Sequence, residues 1–229
     1  KEVDGVKLRY LGHSGLALAL DGREVLVDPF ITGNPRAGAD LAELAPDMIV
    51  ITHAHGDHWG DTPFLAERSG ATVVGTAEVA AYAAGLGLAE HAMNIGGSFD
   101  FGFVRVTATP AWHSSSFPDG TYGGMPTGVV LDVAGKRVYH AGDTALFSDM
   151  ALVARGGLDV AFLPIGDNFT MGPADALEAV RLLKPTVVVP IHYDTFPVIA
   201  QDAAAFKAAV EESTGSSCVV LAPGEVMTL

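Results

Sequence analysis

Residues 53–58 read His-Ala-His-Gly-Asp-His, which places three of the chain's eight histidines and an aspartate within six positions. Imidazole nitrogens and carboxylate oxygens are the donors that zinc and neighbouring divalent ions accept. His53 and His55 are two apart, so in extended backbone both rings project to the same side and can share one ion. Gly56 then permits a sharp turn. Beyond it Asp57 and His58 face a second point a few ångströms away and offer a carboxylate and an imidazole to another ion. Such residues also gather on exposed loops and at helix N-caps. At this composition, however, chance produces the pattern in on the order of one chain in a thousand, which favours the metal reading.

Apolar patterning supplies the elements that must hold these groups. The run "DMIVIT" ahead of His53 reads as a strand buried on both faces. The opening third alternates short strands with turns, "VKLRYLG", "LALAL", Asp21-Gly22 and "EVLVD", in the manner of an antiparallel meander. A short helix is expected over 62–69, with Thr62 as N-cap and Pro63 at its first position, then strand "ATVVG" and a helix over 76–86. Strands return with "FVRVTATP", "TGVVLDV" and "KRVYH". The Gly-rich stretch "FPDGTYGGMPTG" among them is long for a simple connection, and such loops often border a site. The last third alternates strand "DVAFLP", a helix over 173–183 opened by Pro173, strand "TVVVP", a helix over 201–212, and a terminal strand pair around Pro223-Gly224. Ala176, Leu177, Val180 and Leu183 form one apolar face of the helix that Pro173 opens. No linker or charge block divides the chain. Residues 1–229 are therefore expected to form a single domain of the α/β (α+β) class, two mixed sheets packed face to face with helices outside. The polar clusters "THAHGDH", "PAWHSS", "YHAGDT", "PIGDN" and "PIHYD" each follow an apolar strand, where loops converge along one sheet edge.

The His-x-His-x-Asp-His motif after a buried strand resembles the metallo-β-lactamase superfamily, whose fold is a four-layer αββα sandwich. That resemblance implies three further metal ligands. His113 in "TPAWHSS" matches the third histidine of the first site, Asp143 in "HAGDT" the bridging aspartate, and His192 in "VVVPIHYDTF" the last histidine of the second site. With His53, His55, Asp57 and His58 they make a seven-residue set for two divalent ions, Zn2+ foremost, with Mn2+ and Fe2+ as alternatives. "YLGHSG", "HAGDT", "PIGDNFTMGPADAL" and "KPTVVVPIHYDTFP" are similar to a narrower branch of bacterial and archaeal metal-dependent hydrolases. Ascorbate-6-phosphate lactonases and N-acyl phosphatidylethanolamine phospholipases D are its more distant relatives. By the same resemblance His13, in "LGHSG", approaches the metals; His13 and Asp57 are the candidate catalytic pair, with ordinary packing as the alternative for His13.

The implied activity is metal-dependent hydrolysis. Two divalent ions bring four positive charges and Asp57 and Asp143 return two, so a bridging water ionises near neutral pH. That hydroxide is the expected nucleophile toward an ester, lactone or phosphodiester of a small molecule, and no Ser or Cys nucleophile is required. An iron-dependent redox or sulfur-handling member of the same fold is the alternative. Flavin-linked diiron relatives replace one ligand histidine with a carboxylate, whereas His55 is intact here. A non-catalytic metal-binding protein is a third reading, against which the complete ligand set stands.

Four other positions flank the strand ends. Asn168 and Tyr193 are candidates for substrate contact, and Asp167 and Asp194 beside them equally suit loop capping. His140, three before Asp143, is a candidate hydrogen-bond partner for it. His91 lies off every cluster and is expected at the surface. Lys+Arg 13 against Asp+Glu 27 gives a formal charge of −14, which repels polyanions and argues against nucleic acid as a partner, leaving a small molecule. Self-association is compatible with the composition. Cys218, alone, excludes an internal disulfide and fits a reduced cytoplasm. Its setting "SSCVVLAP" brings no His, Lys or Arg in sequence to lower its pKa, and a structural thiol is expected. The apolar stretch 79–89 is shorter than the ~20 residues that span a bilayer. No signal-peptide pattern follows Lys1, so a cytoplasmic location is expected.

Overall fold

Strand β1 (Lys7–Gly12) turns at His13 and Ser14 into β2 (Gly15–Leu20), which turns at Asp21-Gly22 into β3 (Arg23–Val27). Asp21 and Gly22 both have positive φ, the hairpin geometry that follows the natural twist of paired strands. The predicted meander is present, with antiparallel pairing from β1 through β3. The computed structural model describes residues 5–229; the start at Lys1, read above for a targeting signal, lies outside them.

After β3 the chain changes from antiparallel to parallel pairing. Strands β4 (Met48–Val50), β5 (Thr72–Thr76) and β6 (Glu90–Met93) run parallel to β3, and helices α1 (Gly56–Trp59), α2 (Thr62–Ser69) and α3 (Ala77–Gly85) fall between them. The second half repeats the plan. Strands β7 (Ser98–Asp100), β8 (Arg105–Pro110), β9 (Thr127–Val133) and β10 (Lys136–His140) pair antiparallel. Helix α4 (Met150–Val153), β11 (Val160–Pro164), α5 (Pro173–Leu183), β12 (Val187–Ile191), α6 (Ala203–Ser213), β13 (Ser217–Cys218) and β14 (Val226–Thr228) complete the chain. Among the described residues the sheet orders are β14-β1-β2-β3-β4-β5-β6 and β13-β12-β11-β10-β9-β8-β7.

Side-chain alternation along the strands builds the layers. Val25 and Val27 of β3, with Leu16 and Leu18 of β2, meet Val106, Leu131, Val160 and Phe162 of the second sheet in a core between the sheets. Leu26, on the other face of β3, packs with Leu65 of α2 and Val79 of α3. Ala161 and Leu163 of β11 pack outward against Ala176 and Val180 of α5 and Phe206 of α6. Helix, sheet, sheet and helix therefore stack as the expected αββα sandwich of two mixed sheets.

Several boundaries differ from expectation. Helix α2 spans the predicted 62–69, but its N-cap is Asp61, whose carboxylate accepts from the Ile31 and Thr32 amides rather than from the helix. The last two strands do not pair with each other. β13 joins β12 in parallel and β14 joins β1 antiparallel, because the Pro223-Gly224 turn carries the chain from one sheet to the other, with the Gly224 amide on the Tyr10 carbonyl. Among the described residues no helix is long and apolar enough to cross a membrane.

Cys218 is buried on β13, as expected, but a lysine does reach it. Lys207 of α6 donates to the Cys218 carbonyl at 2.6 Å. Burial outweighs that charge and pushes the thiol up to about 11. A raised folded pKa gives stability that is present below the unfolded thiol's value and lost as pH rises through the folded one. The difference in urea-unfolding free energy between wild type and Cys218→Ala is therefore expected to shrink between about pH 9 and pH 11. A difference that is flat or grows across that window contradicts the assignment.

Candidate metal centre

Thr52 follows the buried strand β4 and fixes the exit of the motif. Its amide and hydroxyl both donate to the buried Asp28 carboxylate, at 2.8 and 2.6 Å. Its carbonyl accepts from Thr127 N–H and Oγ1 on the second sheet, at 2.9 and 3.0 Å. His53 and His55 then lie side by side, with His53 Nε2 3.0 Å from His55 Nδ1. The direction changes at Gly56 without left-handed backbone. His55 acts as N-cap and Gly56 opens the one-turn helix α1, so the turn expected from glycine's freedom is a helix start instead. Gly60 is the glycine that this stretch requires: its φ is 43°, and a Cβ there would run into the Pro29 carbonyl. Helix α1 brings His58 to Asp28, with Nδ1 2.7 Å from Oδ2, and Asp57 to His13, with Oδ2 3.0 Å from Nε2.

The other candidates arrive from the second sheet. His113 follows β8, Asp143 follows β10 and His192 follows β12. Three groups result, each with donor atoms within 4.8 Å of one another: His53, His55 and His113; His13, Asp57, His58 and His192; and, overlapping both, Asp28, His53 and His58, in which Asp28 already binds His58 Nδ1. Asp143 stands between the first two. Its Oδ2 is 3.5 Å from His113 Nε2, 4.0 Å from His53 Nε2 and 3.1 Å from His192 Nε2, and its Oδ1 is 3.3 Å from His58 Nε2. Two donors held about 2.0–2.1 Å from one tetrahedral ion are about 3.3 Å apart; the His58, His192 and His113 pairs lie close to that spacing, and the His53 pair, at 4.0 Å, is wider.

Hydrogen bonding supplies a second test of fit. His58 Nε2, Asp143 Oδ1 and both His192 ring nitrogens are buried without a hydrogen-bond partner. Buried polar atoms are ordinarily paired, and leaving several open at one point is costly. Cations placed beside Asp143 would satisfy His58 Nε2, Asp143 Oδ1 and His192 Nε2, which face one another, whereas His192 Nδ1 lies on the far side of its ring toward Gly166; the donor set fits a pair of metal ions. Five imidazoles and two carboxylates suit zinc, manganese or iron.

Burial and charge act in opposite directions across the cluster. Burial pushes His53 well below the usual histidine range, aided by the charge of His58. Burial also works to lower His58, but Asp143 and then Asp28 outweigh it and hold the imidazole well above its usual value. For Asp143 burial favours the neutral acid, yet His192 and His58 prevail and keep the carboxyl well below the ordinary range. Asp57 is likewise held low, its burial outweighed first by the His13 hydrogen bond.

The remaining residues divide between the centre and its supports. His13 is fully buried, with Nδ1 2.8 Å from Thr195 Oγ1 and Nε2 on Asp57. Burial lowers it to about 4, so the ring is neutral near pH 7 and donates one proton only. His140 does not bond Asp143: its Nε2 meets the Ser14 carbonyl at 2.8 Å and its Nδ1 accepts from the Gly142 amide, tying the two site-bearing turns together. His91 is on edge strand β6, away from the centre, half-buried beside Phe99 and Phe101. Asn168 is exposed, its amide capped by the Asp167 carboxylate. Tyr193 packs against the outer core and lines a groove of about 800 Å³ with Arg36 and Asp194, apart from the metal donors.

Asp28 and Thr195 were not singled out from sequence. Asp28 ends the apolar run "EVLVD", so the rule that marked the other strand-end clusters would have found it; Thr195 carries no such signal. Asp28 Oδ2 receives both Thr52 Oγ1 and His58 Nδ1, and an asparagine has only one carbonyl oxygen for the three donors. Asp28 also has φ of 47°, which asparagine tolerates. Asp28→Asn is expected to keep its far-UV circular dichroism while metal affinity falls about 10–100-fold. Competition with a chromophoric chelator measures it, and unchanged affinity removes the role given to Asp28.

Comparison with known proteins agrees with this geometry. Residues 23–193 match the Beta-lactamase superfamily domain. A UPF0173 metal-dependent hydrolase of Thermus thermophilus is 54% identical over 224 residues, covering 98% of this chain and 99% of the relative. The structure of Igni18, a metallo hydrolase from Ignicoccus hospitalis, superposes with a TM-score of 0.90 at 40% identity, covering 98% of each chain. CmlA, a diiron beta-hydroxylase from Streptomyces venezuelae, shares the fold alone, at 18% identity and a TM-score of 0.78 over 99% of this chain and 54% of its own. With its two mixed sheets, its paired donor clusters and this full-length identity, the chain belongs to the UPF0173 family of the metallo-β-lactamase superfamily.

Proposed function

We propose that this protein is a dinuclear metal-dependent hydrolase that cleaves an ester, lactone or phosphodiester of a small molecule. The observation that carries the reading is the set of buried, unpartnered donor atoms gathered around Asp143. His53, His55 and His113 would hold one ion; Asp57, His58 and His192 would hold the other, and Asp143 lies within reach of both. When bound, the ions supply an electrophilic centre that ionises water near neutral pH and polarises the scissile carbonyl or phosphoryl oxygen. Relatives named as metal-dependent hydrolases, up to 54% identical, support the same reading.

The chain's own residues do the positioning. A Thr195 hydroxyl donated to His13 Nδ1 leaves His13 Nε2–H to donate to Asp57, fixing which carboxylate oxygen turns toward His58 and His192. No side-chain nucleophile competes for the role. Ser114 Oγ lies 3.3 Å from His55 Nε2, but His55 Nδ1 faces His53 rather than a carboxylate, so the orienting partner of a hydrolytic triad is missing.

Elemental analysis of purified protein is expected to give about two divalent metals per chain. His53→Ala and Asp143→Ala should lose metal and hydrolysis together. His13→Ala should keep both metals and lose about 10–100-fold in kcat with little change in KM, and His13→Gln, which retains a donor, should recover part of that loss. Wild-type turnover by His53→Ala, or iron-dependent consumption of dioxygen in place of hydrolysis, would overturn the reading.

A further inference from the structure

Five of the loops along the metal edge share a charge pattern. Residues 52–62, 111–127, 141–149, 165–172 and 192–202 contain no lysine or arginine, although the chain has 13. Their charged side chains are aspartates, among them Asp119, Asp149, Asp167 and Asp194. Arg36, on the loop after β3, faces one of these loops: it lines a groove with Tyr193, Asp194, Gln201 and Asp202, where it stands among the carboxylates of Asp194, Asp202 and Glu225 and with none of the metal donors. A phosphate or carboxylate on a substrate, away from the reacting bond, would find no cation on these loops and several like charges.

The same loops hold apolar groups in water. The five most exposed large apolar side chains among the described residues are Trp112 at 68%, Tyr122 at 63%, Met125 at 59%, Phe169 at 56% and Val198 at 55%. All five lie on three of these loops. Their backbones are fastened to residues next to the candidate ligands. Trp112 N–H donates to Thr144 Oγ1 at 3.0 Å, Trp112 carbonyl accepts from Ala145 at 3.1 Å, and Met171 N–H donates to the Thr144 carbonyl at 3.0 Å. Trp112 and the segment after Phe169 are thus bound to either side of Thr144, the neighbour of Asp143. Thr127 N–H on the Thr52 carbonyl holds the Tyr122 and Met125 loop beside His53, and Asp194 N–H on the Ile199 carbonyl closes the turn that carries Val198 after His192. Apolar side chains held by ordered backbone around a polar centre mark a place where another apolar group is received.

We propose that the metal centre selects uncharged esters or lactones carrying an extended acyl or aryl group, which Trp112, Phe169 and their neighbours seat, over phosphorylated or carboxylated metabolites. This deepens the hydrolase reading and rests on it. In the reaction, a water oxygen bonds to the acyl carbon, the bond from that carbon to the alcohol oxygen breaks, and the departing oxygen takes up a proton.

Zinc-loaded protein is assayed with p-nitrophenyl esters from acetyl to octanoyl, with the eight-carbon ester ending in a free carboxylate, and with bis(p-nitrophenyl) phosphate. Expected is a rise in kcat/KM of about tenfold or more from acetyl to octanoyl, a similar loss when the chain ends in carboxylate, and slower cleavage of the phosphodiester. Trp112→Ala and Phe169→Ala, both with wild-type circular dichroism and melting, should lower octanoyl turnover more than acetyl turnover. A flat length series, or faster cleavage of the anionic compounds, overturns the proposal while leaving hydrolysis intact. So does a Trp112→Ala variant that dissociates a sedimenting oligomer and leaves the length series unchanged, which would make the rim a contact between copies. If nothing is cleaved, the hydrolase reading fails, and binding decides the inference. Trp112 is exposed and the only other tryptophan, Trp59, is buried, so emission reports on the rim. Octanohydroxamate should bind about tenfold tighter than acetohydroxamate with a blue shift absent in Trp112→Phe; equal binding overturns the proposal.

Discussion

Asp143 sets the central constraint. Its carboxylate is buried among four imidazoles from both halves of the chain, at 3.1–4.0 Å, with one of its oxygens and the facing Nε2 atoms of His58 and His192 lacking any hydrogen bond. The imidazoles and the carboxylate face one another at 3.1–3.3 Å without well-formed hydrogen bonds, and water-excluded polar atoms without partners are unfavourable. A pair of cations resolves the conflict. The rest of the edge is arranged so that this cluster forms despite its cost, and the parallel strands make that feasible by ending β4, β10, β11 and β12 at one side of the sandwich.

Backbone strain follows the same distribution. Of the nine non-glycine residues with positive φ among those described, His13, Asp28, Asp167, Asn168, His192 and Asp194 lie along the metal edge, while Asp21, Ala134 and Lys184 serve turns and a helix end. Such conformations cost of order 1–3 kcal/mol each and persist where the surroundings over-determine them. Here the surroundings do so visibly: His192 N–H donates to the His13 carbonyl, which also receives the Tyr10 hydroxyl. Two strained histidines are locked to each other across the sheets, which holds their rings on the same side of the centre.

Much of this was readable in the string, for reasons that differ by residue. His53 through His58 announce themselves because two-residue spacing is geometry, and α2 and α5 announce themselves because proline opens each of them. β6 and β7 escaped notice because edge strands with exposed, polar side chains lack the alternation that marks a half-buried strand. The Pro223-Gly224 turn misled because local turn chemistry specifies a reversal but not which sheet receives the next strand. Lys207 reaches Cys218 only because α6 packs over β13. Asp28 acts through a histidine thirty residues away, a relation that no local pattern encodes.

The division of donors between the sheets gives the metal centre a structural as well as a chemical consequence. His53 and His55 come from the first sheet and His113 from the second; Asp57 and His58 come from the first and His192 from the second. Each proposed ion would therefore cross-link both sheets at the edge where their strands end. An ion that binds only the folded arrangement stabilises it by an amount that rises with the logarithm of the ratio of free ion to its dissociation constant. The interior is already closed by the apolar core between the sheets, so the ions are not needed to form it. Their mechanical part would be local: they would convert a set of crowded, unsatisfied side chains into a fixed centre, beside which the neighbouring loops hold Trp112 and Phe169 exposed.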